Sequence, residues 1–207
     1  MLEFLNKKKE KYNERDEYHK EYLKLQRKLE RSYVAVEQEF VPLFKKLANL
    51  FIGIDLDIRM DTSQSVVNSG LFLTLEMKGA VRRSDYQFSE SQKFFLDIAL
   101  RMALSQYLSP AENSSTLFID TPEGSLDIAY ESRAGKMFAQ YVNSNNKIIM
   151  TANINTSMML INLAKECGEG RMTLHRMTTW AELSEVQLEE SNLFNYAYNE
   201  IEKNMKE

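Results

Sequence analysis

The chain has 207 residues, 43% of them hydrophobic, and a formal net charge of −4; it can bury one core, but it has no bulk attraction for nucleic acid, so any DNA contact must come from a local patch. Its one cysteine, Cys167, excludes an internal disulfide framework and a cysteine-based zinc site. No apolar run reaches the roughly 18 residues of a membrane span and no signal-peptide pattern opens the chain, so the sequence reads as soluble and cytoplasmic, with no membrane partner.

Residues 1–31 are densely charged, with Lys7-Lys8-Lys9 followed by both signs. From Tyr18 the apolar residues fall at Tyr22, Leu25, Leu29, Tyr33, Val36, Phe40, Leu43 and Leu47. That spacing is a helix seam compatible with a coiled coil, or with a solvated amphipathic helix packed on its own domain. Pro42 lacks a backbone N–H and disfavours helix at the residue before it, which predicts a kink or break.

Phe51–Arg59 alternates, with Ile52, Ile54, Leu56 and Ile58 against Asp55 and Asp57, and residues 71–78 alternate too. Two period-2 runs around a polar segment predict an antiparallel pair. Asp55 and Asp57 fit solvated strand carboxylates better than a metal pair. A helix is predicted from Ser89 to about Leu108, and Thr116–Ile119 reads as a strand buried on both faces. Further on, Leu126–Val142 reads as helix, Lys147–Thr151 as a second buried strand and residues 156–165 as helix. Arg171–Thr179 alternates like a strand, and Ala181–Lys206 reads as one long acidic helix. Buried strands alternating with helices imply an α/β layer with parallel strands.

Two stretches carry chemistry. The first is Phe88-Ser89-Glu90-Ser91-Gln92-Lys93. Ser89 suits the N-cap of the following helix, with Gln92 completing a capping box; a helix start is also where an anion is favoured. The second is Leu117-Phe118-Ile119-Asp120-Thr121-Pro122-Glu123-Gly124-Ser125-Leu126-Asp127, an apolar strand ending in a carboxylate that can reach a Mg²⁺ shell. Ser125 or Asp127 can also cap the helix that follows.

Together, these stretches resemble the second half of an ABC-type ATPase head of the SMC-like, RecF-like group. The resemblance covers roughly residues 20–180 and is sharpest over 87–128. Ser89, Glu90, Ser91, Gln92 and Lys93 take the place of the signature, which holds the γ-phosphate of ATP bound to another subunit; Glu90 and Ser91 stand where the family has two glycines. Asp120 takes the Walker B position of the metal ligand, and Ser125 and Asp127 match the D-loop. The family's catalytic Glu follows the Walker B Asp directly. Here Thr121 stands there, and Glu123 is the carboxylate that can act from a shifted position. On the strand Ile148-Ile149-Met150-Thr151-Ala152-Asn153 the switch histidine is replaced by Ala152, with Asn153 beside it as an amide donor.

A phosphate-cradling Gly-x-x-x-x-Gly-Lys-Ser/Thr does not occur; Gly135-Lys136 has Tyr130 where the first Gly is needed. The resemblance therefore implies a C-terminal lobe with parallel buried strands and flanking helices, preceded by a coiled-coil stub. Residues 1–47 are the arm end, 48–180 the lobe and 181–207 a C-terminal helix. The implied cofactors are ATP and Mg²⁺. The implied partners are the N-terminal half of the head with the phosphate loop, a second head, DNA, and a nuclease or effector subunit. The implied role is an ATPase of DNA repair or anti-phage defence; a non-catalytic coiled-coil adaptor that keeps the lobe without turnover is the alternative. His19 and His175 read as structural, Arg82-Arg83 as either a solvated pair or a contact to phosphate, DNA or the dimer partner, and Trp180, Met158, Met159, Tyr196 and Tyr198 as core or partner contacts.

Overall fold

The computed structural model describes residues 1–60, 73–109, 113–154 and 158–206. The chain opens with one long helix, α1 (Leu2–Ala35), whose apolar residues lie largely in solvent: Tyr18 is 71% exposed and Leu25 58%. It continues through a π-helical turn, Val36–Phe40, into α2 (Val41–Ile52). The break expected at Pro42 is thus a widened turn. Phe40 and Val41 keep helical dihedrals, and the Val41 N–H reaches back five residues to the Val36 carbonyl. That extra residue in the turn relieves the crowding a proline ring imposes on the preceding helix. From Phe40 onward the helix is anchored, with Phe44, Leu47, Ala48 and Phe51 buried.

Helix α2 ends on Gly53, at φ +66°, where a Cβ would also strike the Arg133 guanidinium. Phe51 and Ile52 therefore belong to the helix, and the predicted strand starts only at Leu56. The alternation carried across Gly53 because a helix end and a strand start happened to fall in phase. β1 (Leu56–Met60) pairs antiparallel with β2 (Leu73–Met77), with Leu56 opposite Met77, and β3 (Ala80–Arg82) extends the meander. The expected antiparallel pair is present; residues 71 and 72 of the expected run lie outside the described residues. Asp57 pairs with Lys45 at 2.7 Å and with Arg59 at 2.8 Å, and Arg59 also reaches Glu76. The Lys45 hydrogen bond holds the Asp57 carboxyl below its ordinary range, so this is a surface ion-pair network.

α3 (Glu90–Leu108) packs on α2 and buries Phe95, Ile98, Ala99 and Met102. Phe51 stacks on Phe95 at 4.6 Å between ring centres and on Tyr130 at 4.9 Å. A crossover from β4 (Thr116–Asp120) through α4 (Glu131–Asn143) returns to β5 (Lys147–Thr151), and the two strands run parallel with Asp120 opposite Thr151. α5 (Met158–Cys167) packs on α4 at Gly135, where a Cβ would lie 2.5 Å from the Met159 carbonyl oxygen. Gly135 is thus a helix-packing glycine.

Four further expectations give way. The β4–β5 pair is buried on one face only: Leu117, Ile119, Ile148 and Met150 turn inward, while Phe118 is 73% and Ile149 56% exposed. Arg171–Thr179 forms no strand, because no neighbouring backbone pairs with it among the described residues; it ends in a 3₁₀ turn, Met177–Thr179. Residues 128–130 are a separate 3₁₀ turn before α4. The C-terminal helix is two, α6 (Glu185–Glu189) and α7 (Ser191–Lys206), because Ser184 caps a new start and Glu190 leaves helical geometry. Met159 and Tyr198 are core, whereas Trp180 and Tyr196 are exposed. His175 lies against Trp180 at 5.8 Å.

Candidate functional site

β4 and β5 end side by side, and their last residues and the turns beyond them build the site. Asp120 is exposed at the tip of β4, and Thr151, its register partner, donates its hydroxyl to the Asp120 carboxylate. The chain then reverses at Thr121, which adopts left-handed dihedrals, φ 41° and ψ 57°. This is strained for a β-branched residue. Its N–H is held by both the carbonyl and the hydroxyl oxygen of Thr151, each at 3.1 Å. Thr151 therefore fixes the carboxylate and the strained turn together. No motif singled this residue out beforehand; its only sequence signal is a hydroxyl at the end of the strand that follows the acidic one.

Pro122 is buried and starts a 3₁₀ turn to Ser125. That turn folds Glu123 across to β5, where its Oε1 accepts the backbone N–H of Asn153 at 2.6 Å. Glu123 Oε2 is shielded from solvent and has no hydrogen-bond partner among the described residues. A shielded oxygen without a donor is a costly arrangement in a closed interior. The carboxylate proposed from sequence thus lies at the joint of both strand exits. Asn153 meets it through its main chain and is itself exposed.

The start of α3 has the expected capping box: the Gln92 N–H reaches Ser89 Oγ at 3.3 Å, and Gln92 Oε1 accepts the Ser89 N–H at 3.0 Å. Ser89 and Glu90 are exposed, and Glu90 is paired with Lys93 at 2.8 Å. That bond raises the Lys93 ammonium above its ordinary value and turns the Glu90 charge back along its own helix. Ser91 is 7% exposed and faces inward, hydrogen-bonded to the main chain of Ser125 and Asp127. Gln92 also donates to the Tyr130 hydroxyl at 2.8 Å. Asp127 Oδ1 accepts the Ala129 N–H at 2.9 Å, so it caps the 3₁₀ turn beyond it. Of the residues singled out in sequence, Asp120, Glu123 and Asn153 gather at the strand ends. Ser89 to Lys93 gather with Ser125 and Asp127 at the helix start.

The fold is thus a mixed helix-and-strand lobe with a long N-terminal helix, a parallel strand pair ending in a carboxylate, and a capped helix start bonded to the loop beyond it. No protein-family model matches the chain, and no curated protein matches it by sequence. Among solved structures it is similar to SMC ATPase heads. One, from work on ATP-driven dimerisation and DNA-stimulated activation of SMC ATPases, is 18% identical with a TM-score of 0.46, covering 64% of this chain and 74% of that one. A Pyrococcus furiosus Smc head with an extended coiled coil, bound to the C-terminal domain of ScpA, is 19% identical with a TM-score of 0.43; the match covers 64% of this chain and 31% of that one. A Pyrococcus yayanosii Smc head with coiled coil and joint is 20% identical with a TM-score of 0.44, covering 69% of this chain and 26% of that one. The match thus spans about a quarter to three quarters of the length of these three structures.

Proposed function

We propose that this chain is the C-terminal half of an SMC-like ATPase head, in which ATP-driven head dimerisation and hydrolysis are coupled to DNA binding or processing in repair or anti-phage defence. The observation that carries this reading is the convergence at the ends of two parallel strands. Asp120 at the end of β4 and Glu123 in the turn beyond it meet Thr151 and the Asn153 main-chain N–H at the end of β5, while the loop between them and α4 is bonded to a capped helix start. Helices and parallel strands arranged this way present ligand sites at the carboxyl ends of the strands.

The N-terminal half is the partner this reading requires. Among the described residues, β4 and β5 have no second neighbours, and one face of the pair leaves Phe118 and Ile149 in solvent. Parallel strands are ordinarily covered on both faces and extended at their edges. A segment carrying the phosphate loop would do both. Residues 1–47 would be the end of a coiled-coil arm, with its last turns from Phe40 already set in the core, and the 181–207 segment would close the lobe.

Asp120 fits a role towards Mg²⁺. It is an exposed hard-oxygen donor, held in one orientation by Thr151. No cluster of three or more metal-binding side chains lies among the described residues. One carboxylate suffices in a Mg²⁺ site completed by water and nucleotide phosphates. When bound, Mg²⁺–ATP supplies the labile phosphoanhydride and neutralises charge at its cleavage. The chain's own part is then to orient: Asp120 holds a charge at the strand end, Glu123 presents a carboxylate for the attacking water, and the exposed side-chain amide of Asn153 can donate to the phosphate. Ser89 and the α3 N-terminus would meet the γ-phosphate of a second head, with Lys93, Glu90, Ser125 and Asp127 lining that approach.

The non-catalytic adaptor is the second reading, and one observation favours it: Glu123 already spends one oxygen on the Asn153 main chain. One experiment separates the two. The chain is mixed with a segment carrying a phosphate loop and assayed for Mg²⁺-dependent ATP hydrolysis and ATP-driven dimerisation. Turnover that needs both pieces supports the ATPase; dimerisation without turnover supports the adaptor. Micromolar ATP binding with turnover by this chain alone would overturn the half-head reading.

A further inference from the structure

The second residue of α3, Ser91, is almost fully buried, in a segment whose flanking residues Glu90 and Lys93 reach solvent. Its hydroxyl donates to the Ser125 carbonyl at 2.7 Å and accepts the Asp127 N–H at 2.9 Å. A serine hydroxyl has one hydrogen to give and lone pairs to receive with, so one side chain satisfies a main-chain acceptor and a main-chain donor two residues apart. It takes the place of a turn hydrogen bond that the 125–127 loop does not make within itself. The neighbouring Gln92 adds a bond to the Tyr130 hydroxyl, and the Tyr130 ring stacks on Phe51, which stacks in turn on Phe95 of the same helix.

The loop so gripped is not an ordinary connection. Glu123 sits at its start, bonded to the β5 exit, and Asp127 at its end caps the following turn. A continuous series of bonds runs from the opening of α3 through 125–127 to Glu123 and on to Asn153. The side chain at this point decides whether that series is closed. Glycine here would leave the Ser125 carbonyl and the Asp127 N–H without their shared partner and would loosen the first helical turn.

Resting on the half-head reading, we propose that Ser91 is a positioning residue. Its hydroxyl locks the α3 N-terminus to the 123–127 loop, so that both are presented as one preformed unit to a nucleoside triphosphate held by a second head. Preorganising two segments before association removes the ordering cost that each would otherwise carry into the complex.

Two measurements test this. In hydrogen exchange on the full chain, Ser91→Ala raises the exchange rate of the Asp127 amide about tenfold, the size expected for one lost hydrogen bond, while the Ala99 and Ile119 amides keep their rates. In the reassembled head at saturating ATP, Ser91→Ala weakens ATP-driven dimerisation by about tenfold. An unchanged Asp127 amide overturns the lock. Equal loosening of Ala99 also overturns it, because Ser91 would then be general packing. Dimerisation equal to wild type despite a faster Asp127 amide overturns the positioning role. If the wild-type head itself fails to dimerise with ATP, the half-head reading falls, and with it the positioning role, while the amide rates still decide whether the lock exists.

Discussion

Two helices of this chain begin with nearly the same words. Ser89-Glu90-Ser91-Gln92 opens α3 and Ser184-Glu185-Val186-Gln187 opens α6, each with a Ser N-cap in extended geometry (φ −68° and −65°, ψ 161° in both) and a complete capping box. The cap bonds agree to about 0.1 Å: the Gln N–H lies 3.3 Å from Ser Oγ in both, and the Ser N–H lies 3.0 and 2.9 Å from the Gln Oε1. Locally they are the same object. They part at the third word, where Ser91 is buried and bonded to a distant loop while Val186 is 68% exposed. Gln92 reaches on to Tyr130, whereas Gln187 makes no bond beyond its cap among the described residues. The α3 start is bonded to the loop that follows the strained turn at Thr121, and the α6 start belongs to a five-residue helix. A capping box therefore specifies where a helix begins. What that beginning faces is specified elsewhere.

The comparison breaks most sharply if the carboxylates beside α3 prove inert. In a head reassembled with a phosphate-loop segment, Asp120→Asn is expected to abolish Mg²⁺-dependent hydrolysis, because it takes a charge from the metal shell, whereas Glu190→Gln beside α6 leaves turnover near wild type. Steady-state rates for the two variants decide it. Glu123→Gln is the next largest effect: its amide oxygen can keep the Asn153 bond, so nucleotide binding persists while turnover falls by about 100-fold. The variant should accumulate as the ATP-bound dimer, visible in sizing with ATP; normal turnover would remove Glu123 from the chemistry.

The two caps themselves can be set against each other. Ser89→Arg is expected to block ATP-driven dimerisation in light scattering with a slowly hydrolysed ATP analogue, and Ser184→Arg to leave it intact. Equal behaviour would reduce Ser89 to a cap. In thermal unfolding, by contrast, Ser89→Ala and Ser184→Ala should each cost about 1 kcal/mol, as is typical of a lost N-cap. Smallest of all is the ion-pair network on β1. The folded Asp57 carboxyl is held low by Lys45, so its contribution is present above the ordinary Asp range and is lost as pH falls through the lowered value. Asp57→Asn should cost about 0.5 kcal/mol or less at neutral pH, since the pair is over a third exposed. It should also flatten the acid limb of a stability-against-pH curve.

By itself the sequence determined whatever depends on residue order over a few positions: the caps at Ser89, the antiparallel pair around Leu56 and Leu75, and the parallel strands ending in Asp120 and Thr151. Side-chain periodicity and capping chemistry act locally, so local order suffices to read them. It could not determine what lies on the far side of an element. Alternation at Arg171–Thr179 marks two faces but supplies no neighbour to pair with. The runs at 116–120 and 147–151 are apolar enough to be buried twice, yet Phe118 and Ile149 are largely exposed among the described residues. Pro42 predicted a break, and only the packing of Phe40 and Phe44 into the core decided that a π turn would absorb it. At the site the division is the same. The sequence placed Asp120, Glu123 and Ser89 in order along the chain. Tertiary structure joined Thr151 to Asp120, Glu123 to the Asn153 amide and Ser91 to the 125–127 loop, because those bonds close over some 30 residues of intervening chain. A hydrogen bond depends on where two groups sit in space, and only the packed core sets that position.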